Sequence, residues 1–274
     1  MTTKGDKDHL VTGGQTHMRI SLILWCYGLL MVSLPAQSET LKVASIDWCP
    51  QLCEGSDKPG YINDIVTAIF SSSPYSLQTR VYPWSRAIKY VSRGSNQALL
   101  SPAKAEAPDL LYPKHEVGIQ RMCFFTSKSS QWRYTDAESL KGMKIGIAND
   151  TSIEELNEFI GKNKKQFQYL PYNDSYLATS FRKLDAKRID SFLFTFNSTV
   201  YYLNNNNVDY KYRSAGCVSL AKVYMAFTPV SAQREKVQLM MDFFDDGMAR
   251  LKSNGQLQII MDKYGLEDWQ KYLK

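Results

Sequence analysis

Residues 41–101 read LKVASIDWCPQLCEGSDKPGYINDIVTAIFSSSPYSLQTRVYPWSRAIKYVSRGSNQALLS, and the order of patterns in this stretch decides the fold. The run Leu41-Lys42-Val43-Ala44-Ser45-Ile46 carries apolar residues at period two and predicts a strand. A loop rich in Cys, Pro, Gly and Asp follows, and residues 61–70 then place apolar side chains at helical spacing. A second strand over 77–81, a second helix over 84–93 closed by Gly94, and a short third strand over 98–101 complete the unit. Strands alternating with helices predict an α/β fold with a parallel sheet covered on both faces.

Beyond Pro113 the alternation begins again. Strands are predicted over 121–126, 143–148, 167–170 and 191–194, with a turn at Leu140-Lys141-Gly142. Thr151 and Ser152 precede a helix whose first turn holds Glu154 and Glu155, an N-cap arrangement suited to the helix dipole. A helix is expected over 174–187, a polar loop tip over 204–207, and strands over 210–213 and 223–227, the last stopped by Pro229. Two amphipathic helices are expected from Ser231 to Leu251 and from Asn254 to Tyr264, with a short last segment around Trp269. Two α/β units of similar size result, and nothing repeats at solenoid period.

Toward the N-terminus, Arg19, an apolar stretch over 20–34 and the small-x-small ending Ala36-Gln37-Ser38 read as a cleavable secretory signal peptide over 1–38. The apolar stretch falls short of the roughly 20 residues that span a bilayer. Residues 1–17 are polar and Gly-rich, so Met18 reads as the start and the preceding stretch as a mis-annotated extension. Cys26 lies inside the apolar stretch behind Trp25, where a lipoprotein acceptor would need a small neighbour; it reads as part of the discarded signal, not as a lipid anchor. The product is expected in the periplasm.

The 274 residues carry 33 Lys+Arg against 27 Asp+Glu, a net +6, but the positive residues are scattered and no basic track interleaved with aromatics suggests nucleic acid. The histidines are His9, His17 and His115, too few for a His-rich metal site, and neither a phosphate loop nor a Gly-x-Ser-x-Gly nucleophile motif occurs. No cofactor and no metal are expected. Cys49, Cys53, Cys123 and Cys217 form an even set, which in an oxidising compartment favours two disulfides with three possible pairings. Cys49 and Cys53 are close enough to pair locally across Pro-Gln-Leu, which leaves Cys123 with Cys217. A redox or metal reading of Cys49-Pro-Gln-Leu-Cys53 lacks the two-residue spacing and a second ligand pair.

The order of motifs resembles the family 3 extracellular solute-binding proteins, the periplasmic receptors of polar amino-acid ABC uptake systems. The matching pieces are the opening strand; Gly60-Tyr61-Ile62-Asn63-Asp64; Pro83-Trp84-Ser85-Arg86-Ala87; Leu140 through Gly146 followed by Thr151; Leu184 with Arg188-Ile189-Asp190; and Lys252-Ser253-Asn254-Gly255 before Tyr264. The resemblance covers nearly the whole chain after residue 38. It implies a two-lobed periplasmic-binding-protein fold of type II with a hinge, lobe 1 being 39–117 plus 231–274 and lobe 2 being 118–230. It further implies a monomer that captures a small-molecule ligand by hinge closure and docks on a membrane permease or a membrane sensor.

Family receptors usually grip the ligand α-carboxylate with an arginine after the third strand, because a guanidinium offers paired hydrogen bonds. Here that place reads Ser101-Pro102-Ala103-Lys104-Ala105-Glu106, without arginine, and the aspartate usual for the α-ammonium is replaced by Thr195-Phe196-Asn197. The expected cleft keeps Trp48, Trp84, Tyr112 and Thr195, with Arg86 as the substitute cation and Thr151 and Ser152 as anion-binding groups at a helix start. Each has a structural alternative: Trp48 covers the disulfide loop, Trp84 sits in core, Arg86 makes a surface ion pair, Thr151 and Ser152 cap a helix, and Lys104 solvates its loop. The same bilobal fold also hosts extracytoplasmic dehydratases, which would need an acid or base such as His115, Asp47, Glu106 or Asp150.

Overall fold

The computed structural model describes residues 39–149, 153–171 and 175–273. The signal-peptide segment with Cys26, and the site candidates Asp150, Thr151 and Ser152, lie outside the described residues. Strand β1 (Glu39–Ser45) pairs in parallel with β2 (Tyr75–Val81) and with β3 (Ala98–Ala103). Between them run α1 (Tyr61–Phe70) and α2 (Trp84–Ser92). α1 buries Tyr61, Ile62, Ile65, Val66, Ile69 and Phe70, the stripe its helical period sets against the sheet.

The sheet is mixed, not parallel throughout. β3 pairs antiparallel with β8 (Tyr212–Phe227), β8 antiparallel with β4 (Gly118–Ser127), and β4 antiparallel with β7 (Ser191–Thr195). Parallel pairing resumes from β7 to β5 (Ile145–Ala148) and from β5 to β6 (Phe167–Leu170). Among the described residues eight strands form one sheet in the order β2-β1-β3-β8-β4-β7-β5-β6. β4 and β8 carry the chain out and back between two parallel α/β units, so their pairing has to be antiparallel. Local periodicity predicts each strand but is silent on this direction.

β8 is a single strand of 16 residues where two separate ones were expected. Its middle is largely half-exposed where it pairs along β4, and Gly216 sits there at φ 131°, where a Cβ would stand 2.7 Å from the carbonyl oxygen of Tyr134. Cys217 lies opposite Cys123 in the ladder, and both disulfides, Cys49–Cys53 and Cys123–Cys217, are formed. The remaining helices are α3 (Glu154–Lys162), α4 (Tyr176–Asp185), α5 (Phe196–Asn205), α6 (Arg234–Ser253) and α7 (Gln256–Asp262). α5 absorbs part of the expected loop tip at 204–207, and Ile153 holds the N-cap position of α3 with no side-chain cap.

The core follows the period-two rule. Phe125, Phe192 and Phe194 belong to one apolar cluster, whereas Phe124, Leu193, Ile145 and Ile147 belong to another, because successive strand residues face opposite sides. The largest cluster joins β1, β3, α1, α6 and α7 around Tyr61, Phe244 and Trp269.

Candidate functional site

The loop after β1 is folded by its own disulfide and by α1. Trp48 N–H donates to Leu52 O at 2.7 Å, and the N–H groups of Gln51 and Leu52 donate back to Trp48 O at 2.9 and 3.0 Å. The start of a helix leaves N–H donors without intrahelical partners. In α1 the loop supplies them: Tyr61 N–H donates to Pro50 O and Ile62 N–H to Gln51 O, both at 3.0 Å. Gly60 makes this approach possible at φ 100°, since a Cβ there would meet Gln51 O at 2.5 Å. From the other side Ser198 Oγ, on α5, donates to Cys49 O at 2.7 Å, and Gln51 Nε2 donates to Ser198 Oγ at 3.3 Å. Trp48 is therefore carried on a tied loop.

A pocket of about 240 Å³ opens at the C-terminal ends of the parallel strands, lined by Ile46, Trp48, Trp84, Ser101, Glu106 and Gln120. This is where open α/β sheets place ligands. Trp84 arrives because β2 ends just before it, and its ring also packs on the small apolar cluster around Ala87 and Leu99. Trp48 is shared with a second pocket of about 470 Å³ whose walls include Asp47, Tyr176, Phe194, Tyr201 and Tyr202.

Ser101 reaches the pocket through a defect in β3. Pro102 has no N–H to give the ladder, and the β3–β8 register shifts between Leu100 and Ala103. Ser101 takes up the left-handed conformation at φ 66°, costly for a non-glycine residue, and its buried hydroxyl has no hydrogen-bond partner. Glu106 is placed by a tight turn: its N–H donates to Ala103 O at 3.0 Å, and its Oε2 accepts from Ala103 N–H at 2.8 Å. Glu106 is exposed as a whole, yet partial desolvation of its carboxyl by the surrounding protein raises its pKa from the ordinary carboxylate value, outweighing the Ala103 hydrogen bond.

No protein-family model matches the sequence, and no curated protein matches it. Solved structures do. A probable amino-acid ABC transporter extracellular-binding protein from Bacillus subtilis is 18% identical, superposes with a TM-score of 0.62, and the match covers 82% of this chain and 97% of that one. A chain from work on glutathione import via GshT and the cystine ABC importer TcyBC of Streptococcus mutans is 17% identical, at TM-score 0.62 and coverages of 84% and 96%. A histidine kinase sensor domain with similarity to periplasmic binding proteins is 20% identical, at TM-score 0.59 and coverages of 85% and 99%. The chain has the periplasmic-binding-protein fold.

Within that fold the structure brings Trp48 and Trp84 into one pocket, and Arg86, Tyr112 and Thr195 are not among its lining residues. Arg86 is exposed on α2. The Tyr112 hydroxyl donates to Ala107 O at 2.8 Å, and burial, with Glu106 and Tyr224 nearby, pushes its pKa up to about 12. Lys104 Nζ lies 5.6 Å from the Tyr112 ring centre and 5.1 Å from that of Tyr224. Thr195 ends β7, buried, its Oγ1 without a partner. His115 is also outside the pocket; its backbone N–H donates to Asp245 Oδ1 at 2.8 Å. Sequence reasoning missed Ser101 and Gln120 as pocket residues. The readable signal for Ser101 was a proline directly after it in an apolar strand.

Away from the pocket, the crossing segment is fastened. Glu116 Oε1 accepts from Lys252 Nζ at 2.7 Å and from Trp269 Nε1 at 3.1 Å, and Lys222 Nζ stands 3.6 Å from Oε2. Burial alone would raise the Glu116 pKa, but these bonds prevail and lower it. Arg121 is held between the rings of Phe196 and Tyr272, 3.8 and 3.7 Å from their centres. No helix among the described residues is long and apolar enough to cross a membrane.

Proposed function

We propose that this chain is a periplasmic solute-binding receptor that captures a small polar solute at the Trp48–Trp84 pocket and presents it to an ABC-type permease. One observation carries the reading: two indole rings, a strained serine with an unpartnered buried hydroxyl, and a partly desolvated carboxyl converge in one pocket at the strand ends. Among the described residues none there is arranged as a nucleophile with its base. The work of the site is binding, with residues 39–117 plus 231–274 and residues 118–230 as the two lobes that close on the ligand. Closure follows only if the ligand binds the closed form more tightly than the open one. A sensor role is the second reading, favoured by the likeness to a histidine kinase sensor domain; it changes the partner and leaves the capture step the same.

The test is a thermal-shift screen of the secreted protein against amino acids, amines, organic acids, sugars and short peptides. A ligand at 100 times its dissociation constant adds about 2.7 kcal/mol of stability. A shift confined to one chemical class establishes the receptor. A flat response to every class overturns it.

A further inference from the structure

We infer that the solute is an organic cation, an amine or ammonium compound without an α-carboxylate, with its charged group held between Trp48 and Trp84 and balanced by Glu106. The inference rests on the receptor reading above and names its substrate class. Among the described residues Glu106 is the only charged one lining the pocket, and it forms no ion pair with any of them. One of its carboxylate oxygens accepts from Ala103 N–H, and that bond comes from the protein's own turn. The carboxyl is thus partly desolvated on an otherwise exposed residue and has no ion-pair partner among the described residues, a state that a bound ammonium group relieves and a bound carboxylate worsens.

Neither Lys104 nor Arg86 is among the residues that line the pocket. Lys104 lies over the Tyr112 and Tyr224 rings, and Arg86 is exposed on α2 outside the lining. No lysine or arginine among the described residues lines the pocket, so nothing there offers the forked donor that grips a carboxylate. Indole faces are the strongest aromatic partners for a cation. The second pocket, behind Trp48, repeats the chemistry: among the described residues Asp47 is the only charged one in its lining, set among Tyr176, Phe194, Tyr201 and Tyr202. On both sides of Trp48 the described residues present aromatic carbon and one acid.

The experiment is calorimetric titration of the secreted protein with matched pairs that differ by one carboxylate: agmatine and arginine, putrescine and ornithine, choline and glycine betaine. Expected is binding in at least one pair with the uncarboxylated member at least tenfold tighter. That affinity falls by at least about tenfold in Glu106→Gln, the scale of losing a hydrogen bond to a charged group. Glutamine keeps an acceptor for Ala103 N–H, and an unchanged melting temperature of the free variant confirms that the turn survives. Tighter binding of the carboxylated members, or an amine affinity that Glu106→Gln leaves intact, overturns the inference. If all three pairs fail while another solute class binds, the inference falls and the receptor stands; if no solute of any class binds, both fall.

Discussion

Glu106 and Glu116 lie in the same connecting segment and meet opposite fates. Glu116 is buried with a lysine and an indole N–H on one oxygen and a second lysine near the other, and its pKa is lowered. Glu106 has one backbone N–H, no ion pair, and a raised pKa. Glu116 is satisfied from within the protein and fastens the segment before β4 to Lys252 and Trp269. The region of Glu106 leaves polar groups unsatisfied, Ser101 Oγ among them, and keeps a strained backbone beside them. An unsatisfied polar group costs stability unless something binds it. The contrast separates what holds this fold from what it offers to a ligand.

The sharpest way to break the comparison is at the cross-strand disulfide. Removing Cys123–Cys217, which closes a span of 94 residues between β4 and β8, is expected to cost about 4–5 kcal/mol of stability in the chain-entropy account. Denaturant unfolding of the Cys123→Ser, Cys217→Ser protein under non-reducing conditions measures it, and an unchanged midpoint would remove the crossing segment from its fastening role.

Next in size is Glu116→Ala. It strands Lys252, itself largely buried, and the Trp269 N–H, so about 3 kcal/mol should be lost while ligand affinity holds. The loss should depend on pH. A carboxyl whose folded pKa is lowered stabilises above its unfolded value near 4.5 and ceases to do so as pH falls through the lower folded value. Melting temperatures of the two proteins should therefore diverge above pH about 4.5 and converge in stronger acid. Parallel curves at every pH would mean that Glu116 contributes packing alone.

The smallest effect has the opposite sign. Ser101→Gly relieves the left-handed strain at φ 66° and deletes an unpartnered hydroxyl, so stability should rise by about 0.5–1 kcal/mol once the extra freedom of glycine in the unfolded chain is subtracted. Ligand binding should weaken in the same variant. A protein less stable and equally tight in binding would make Ser101 a structural residue.

Much of the fold was legible because its signals are local. The helix over 61–70 is found at Tyr61–Phe70, and the strand over 167–170 at Phe167–Leu170, since each buries a face at its own period. α5 was illegible. Its sequence, FNSTVYYLNN, is made of aromatic, β-branched and polar residues with weak helix preference, and tertiary packing of Tyr201 and Leu203 holds it. In the pocket, Trp48 and Trp84 were readable as aromatics placed just after predicted strands. Ser101 and Gln120 were not, because one depends on a register shift in β3 and the other on which neighbour β4 acquires.

By itself, then, the sequence determined the alternating strands and helices, the even set of cysteines, the absence of an arginine after the third strand, and the aromatic residues at strand ends. These depend on composition and on short-range period. Tertiary structure alone decided that β4 and β8 run antiparallel through the middle of the sheet, and that Glu116 is fastened while Glu106 is left open. Each of these joins residues far apart in the chain. Their pairing energy exists only after the backbone has been brought together, and no local pattern carries it.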